Sequence, residues 1–92
     1  MSLDSKLARY VIELEACLAN THRAEDRSLY EKYLASAAGI LASCVLKQPA
    51  SEIASRIMTH ERLWGTTWLG DDIYRKAATA WAEAKKEAER AA

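Results

Sequence analysis

Residues 33–46 read Tyr33-Leu34-Ala35-Ser36-Ala37-Ala38-Gly39-Ile40-Leu41-Ala42-Ser43-Cys44-Val45-Leu46, a run of 14 positions without one charged side chain. Fourteen residues fall short of the roughly 20 that a membrane-spanning helix needs, and match the length of a buried core helix. Apolar residues do not alternate with period two, so the run is not a half-buried strand. The spacing predicts a helix over 27–47. Its main face carries Tyr30, Tyr33, Leu34, Ala37, Leu41, Cys44 and Val45. The opposite face carries Ala35, Gly39, Ala42, Ser43 and Leu46, most of them small. A helix that is apolar all round is normally covered all round.

The flanking segments read as three more helices. Leu3, Leu7, Val11, Leu14 and Leu18 recur at three- and four-residue steps and predict a helix over 3–20. Tyr10 and Cys17 widen that stripe, with Arg9 and Glu13 opposite. Asn20-Thr21-His22-Arg23 breaks the pattern, and Asp26 either caps the next helix or sits in its first turn. Pro49 suits the first position of a third helix over 49–64. Ile53, Ala54, Ile57 and Trp64 form its stripe, with His60 and Glu61 flanking, and Gly65 is a left-handed stop. Gly65 to Gly70 is the least regular stretch. A fourth helix starts at Asp71 or Asp72, with Ile73, Ala77, Ala80, Trp81, Ala84 and Ala88 as its stripe. Four stripes with short connections predict one all-α domain over 1–92, a four-helix antiparallel up-down-up-down bundle.

Charge narrows the functional classes. Thirteen basic and 13 acidic side chains give a formal net charge of zero. Nucleic-acid binders draw most of their affinity from a basic surplus or a basic face. Here the basic tail residues Lys85, Lys86 and Arg90 alternate with Glu83, Glu87 and Glu89, which reads as self-pairing along a solvated helix. A helix-turn-helix needs a shorter turn than Gly65–Gly70, and Asp71-Asp72 would repel phosphate. Neither nucleic acid nor a membrane is an expected partner. No secretory pattern is present, and Cys17 and Cys44 lie on apolar helix faces, as expected of free thiols in a cytoplasmic protein.

Two features point to binding. The helix over 27–47 has no polar back along its C-terminal two-thirds, so the Ala35, Gly39, Ala42 and Leu46 face is expected to meet a second copy in a homodimer. Ile12, off the main stripe of its helix, adds to that surface. The bundle topology also gathers His22, Tyr30, Tyr33, His60, Glu61, Trp64, Trp68, Asp71, Asp72 and Tyr74 at one end. These residues either pack as a core plug or present a partner-binding patch of His60, Glu61, Trp64, Trp68 and Tyr74, since Trp and Tyr anchor interfaces. A small-molecule pocket lined by Tyr30, Tyr33, His60, Glu61 and Trp64 is the alternative.

Catalytic signatures do not assemble. His60-Glu61 lacks a second histidine four residues on, where Trp64 stands. No Glu is followed three residues later by His, so the di-iron pattern fails. Cys17 has no evident base and orienting group, and no phosphate-cradling loop occurs. The sequence therefore predicts a non-enzymatic protein-binding module of regulator, adaptor or inhibitor type, with no metal and no cofactor.

Overall fold

A computed structural model of the chain describes residues 3–65 and 72–91, with side chains over 3–63 and 75–90. The Gly65–Gly70 connection beyond Gly65 itself, Trp68, Asp71, and the side chains of Trp64, Asp72, Ile73 and Tyr74 lie outside the described residues. Four helices make up the rest: α1 (Leu3–Ala19), α2 (Ala24–Val45), α3 (Ala50–Gly65) and α4 (Asp72–Ala91). No strand occurs among the described residues, and no helix in them is long and apolar enough to cross a membrane.

The helix boundaries follow local chemistry. The end of α1 is closed by the side chains of the turn that follows it. Asn20 Nδ2 donates to the Ala16 carbonyl at 2.8 Å and Thr21 Oγ1 to the Cys17 carbonyl at 2.6 Å. Arg27, one turn into α2, donates from Nη1 to the carbonyls of Leu18 and Thr21, each at 3.0 Å. These bonds satisfy carbonyls that a helix C-terminus leaves open. α2 begins at Ala24, three residues before the expected start. Glu25 and Asp26 therefore fall in its first turn, where carboxylates favour the positive end of the helix dipole.

The end of α2 is a Schellman turn. Lys47 N–H donates to the Cys44 carbonyl at 3.1 Å, and Gln48 N–H to the Ser43 carbonyl at 3.0 Å. Lys47 takes φ 55°, the left-handed conformation that side chains disfavour. Pro49 comes next and its carbonyl accepts from Ile53 N–H, so Pro49 caps α3 rather than occupying its first helical position. Gly65 is the last residue of α3.

The core gathers Leu7, Tyr10, Leu14 and Cys17 from α1, Tyr30, Tyr33, Ala37 and Ile40 from α2, and Ala77, Ala80, Trp81 and Ala84 from α4. From α3 it takes Ile57 as its buried apolar residue and His60 as a buried polar one. The α4 stripe matches the sequence pattern among the described residues, whereas that of α1 centres on Leu7, Tyr10, Leu14 and Cys17, with Leu3, Val11 and Leu18 half-buried. That of α2 is rotated. Ile40 and Ser43 point inward, whereas Val45, assigned to the core face, is 63% exposed. The buried positions are Tyr30, Tyr33, Ala37, Ile40 and Ser43, at steps of three and four residues. Ser43 can turn inward because its hydroxyl donates to the Gly39 carbonyl at 3.0 Å. On α3, Ala54 is exposed and His60 replaces it in the stripe.

Close packing joins α1 with α4, α1 with α2, and α2 with α3. Among the described residues α3 and α4 have no comparable backbone approach, and they meet through long side chains.

Candidate functional site

The most distinctive chemistry lies midway along the helices, around His60. Its ring is 0% exposed. Nε2 shares a hydrogen bond with the Tyr10 hydroxyl of α1. Nδ1 shares one with the Ser36 hydroxyl of α2 at 2.9 Å. Both hydroxyls can donate or accept, so a neutral imidazole is satisfied in either tautomer. Rings close around it: Tyr10 at a centroid distance of 5.3 Å and Trp81 at 4.5 Å. Tyr33 stands edge-on at 6.2 Å and in turn packs against Tyr30 at 6.2 Å. Burial pushes the His60 pKa down from 6.5 to about 4, with the neighbouring Glu61 carboxylate opposing that shift. His60 is thus a neutral core residue with partners or ring contacts on α1, α2 and α4.

Glu61 extends the network to the surface. Trp81 donates its indole N–H to Glu61 Oε1, and Lys85 Nζ lies 3.4 Å from Glu61 Oε2. These two contacts bridge α3 and α4 where their backbones stand apart. On the α2 side, the Tyr33 hydroxyl donates to the Leu63 carbonyl at 3.4 Å.

Beyond that bridge the α3–α4 seam opens into an apolar groove of about 280 Å³. Leu3, Ile53, Ile57 and Ala88 line it together with Met58, which is 60% exposed, and Lys85 and Glu89 stand among them. A second, charged cleft lies between α1 and α4. It holds Lys6, Arg9, Arg75 and Lys76 against Glu13 and Glu83. Lys6 pairs with Glu83 and Arg9 with Glu13, each at 3.2 Å.

The expected site residues fare differently. Tyr30, Tyr33 and His60 do come together, but as packed interior, and none of them lines either hollow. His60 therefore has no surface to offer a partner, in contrast to the sequence expectation, because its ring fills a core position. Glu61 is half-buried and engaged by Trp81 and Lys85. His22 is exposed and stands outside the cluster. Trp64, Trp68 and Tyr74 fall on undescribed side chains. On the expected dimer face, Ala35 and Ala42 are exposed and Leu46 is 71% exposed. Gly39 departs from them. A Cβ built there would meet the Arg56 guanidinium of α3 at 3.6 Å, so this position faces its own chain.

Three members of the buried network were not singled out from the sequence: Tyr10, Ser36 and Trp81. Tyr10 and Trp81 each lay on a predicted apolar stripe, which signals burial but not the polar partner. Among the described residues no group of three or more His, Cys, Asp or Glu side chains converges to hold a metal ion. Both cysteines are free, Cys17 buried and Cys44 half-buried. No family model, curated protein or solved structure matches the chain.

Proposed function

We propose that this protein is a non-enzymatic helical interaction module whose first partner is a second copy of itself, joined through the outer face of α2. The observation that carries this reading is an exposed, uncharged seam. Ala35, Ala38, Ala42 and Val45 follow one another at steps of three and four residues, and all are exposed, with Leu46 beside them. Such spacing keeps side chains on one face of a helix. Small residues there let two helices approach to about 8 Å, the close end of helix packing distances.

Charge favours a two-fold, antiparallel pairing of this seam. Exposed Glu31 stands at its beginning and exposed Lys47 just past its end. Antiparallel copies bring Glu31 of one beside Lys47 of the other, twice. A formal net charge of zero adds no long-range repulsion between copies.

The framework behind this face is read as an up-down-up-down bundle. Supporting that reading, Lys6 in the first half of α1 pairs with Glu83 in the second half of α4. Arg27 near the start of α2 binds carbonyls at the end of α1, and Tyr33 binds Leu63 near the end of α3. The two free thiols suit a reducing compartment such as the cytoplasm.

Sedimentation equilibrium tests the proposal. At tens of micromolar the chain is expected to show twice its monomer mass, and Ala42→Glu is expected to return it to a monomer with its helix content unchanged. A monomer persisting at several hundred micromolar removes the reading.

A further inference from the structure

We propose that His60 is an acid-operated latch whose protonation releases α3 from the other three helices and widens the apolar groove between α3 and α4. Apolar burial holds α3 only lightly. Its buried apolar contribution among the described residues is Ile57, with Ile53 and Leu63 partly covered. Most of its polar ties sit at or beside His60: Tyr10 and Ser36 on the ring, Trp81 and Lys85 on Glu61. Trp81 also packs its indole against the imidazole. A proton on that ring places a charge in a site enclosed by three aromatic rings, where desolvation disfavours it.

The described groups facing His60 are mostly uncharged. From α1 it meets the Tyr10 phenol, from α2 the Ser36 hydroxyl and the Tyr33 ring, and from α4 the Trp81 indole. Among the described residues the carboxylate acting on it is Glu61, which already accepts from Trp81 and pairs with Lys85. Separation of α3 is the least costly relief, because of the three close helix pairings among the described residues it breaks only that of α3 with α2. Release would uncover Ile53, Ile57, Ala88 and Trp81, whereas the α1–α2 and α1–α4 contacts need not break.

Protonation is held down to about pH 4 in the closed form, against an ordinary 6.5 once the ring reaches water. The ratio of open to closed chains therefore rises about 80-fold between those two pH values, toward a limit of about 300-fold at lower pH. Amide hydrogen exchange on the full chain, corrected for the intrinsic pH dependence of exchange, reads this directly. Between pH 7 and pH 4 protection is expected to fall in α3 well before α1 and α2, with a parallel rise in dye binding to apolar surface. His60→Phe is expected to abolish the selective loss. Glu61→Gln, which keeps an acceptor for Trp81 but removes the charge, is expected to retain it.

Protection in α3 that stays equal to that of α1 and α2 from pH 7 to pH 4 overturns the latch, as does selective loss that survives in His60→Phe or disappears in Glu61→Gln. If His60→Phe does not fold, labelled histidine in the unaltered chain decides by magnetic resonance. The His60 ring must then change its signal at the same pH as α3 opens, and separate midpoints overturn the proposal.

Discussion

The Tyr10 hydroxyl and the His60 Nε2 meet inside the core although 50 residues separate them in the chain. Both groups are 0% exposed, so neither can replace the other with bulk water. Their bond fixes how far along α1 the third helix sits, because a shift of one turn, 5.4 Å, would strand two polar groups in an apolar interior. Hydrophobic matching alone tolerates such slips better than a buried polar pair does.

Removing the hydroxyl alone tests that relationship. Tyr10→Phe preserves the ring that packs on His60 and Trp81 and deletes the oxygen. Leaving a buried nitrogen without its partner costs about 1–3 kcal/mol. Urea denaturation is expected to show that loss as a lower midpoint with an unchanged slope. In a double-mutant cycle, the cost of Tyr10→Phe is expected to shrink once His60 is replaced by Leu. Equal costs in both backgrounds would mean the two groups are not coupled.

Apolar positions in this chain declare their burial in the sequence, and polar ones do not. Leu7, Leu14, Ala77, Ala80 and Ala84 were legible because apolar periodicity reports burial directly. Residue type sets His60 beside the α3 stripe, although Ile53, Ile57 and His60 keep the four-then-three step of a helix face. Residue type outweighed position there. Ser43 was turned outward for the same reason, and its bond to the Gly39 carbonyl reverses that choice. The identity of the partners, Tyr10 and Ser36 for His60 and Glu61 for Trp81, depends on the axial register between helices. Periodicity within one helix carries no record of that register.

Lys47 occupies a position shaped for glycine. Its φ of 55° sets Cβ against the following backbone, and the Schellman bonds hold it there. Lys47→Gly removes the steric cost of about 1–2 kcal/mol that an L-residue bears in this conformation. Part of that gain is offset by the greater freedom of glycine in the unfolded chain. A net stabilisation of about 0.5–1 kcal/mol is expected, equivalent to a rise in Tm of roughly 2–8 °C for a domain of this size. Thermal unfolding by circular dichroism measures it. An unchanged or lower Tm would show that the Lys47 side chain contributes interactions of its own.

The two thiols should differ sharply in reactivity. Cys17 is 0% exposed, whereas Cys44 is half-buried. Burial raises the Cys44 thiol above its usual pKa, and the Asp4 carboxylate adds to the shift. Thiolate is the reacting form, so Cys44 is expected to label more slowly than a free thiol at pH 7. Cys17 is expected to label only when the chain opens globally. Timed alkylation followed by mass spectrometry separates the two sites. Fast labelling of Cys17 under native conditions would contradict its place in the core.

Global stability should fall on the acid side in a defined window. His60 binds a proton with a pKa of about 4 in the folded chain and 6.5 when unfolded. Above pH 6.5 neither form is protonated at this site, and its contribution is constant. As the pH drops below 6.5 the unfolded chain takes up the proton first, so stability declines. At about pH 4 the folded chain is protonated as well, and the decline from this group stops. The full span is worth about 3 kcal/mol, a large share of the 5–15 kcal/mol typical of whole domains. Urea midpoints measured between pH 7 and pH 4 are expected to trace that slope, and His60→Leu is expected to flatten it. A chain that keeps its neutral-pH stability at pH 5 would place the imidazole in water rather than among Tyr10, Tyr33 and Trp81.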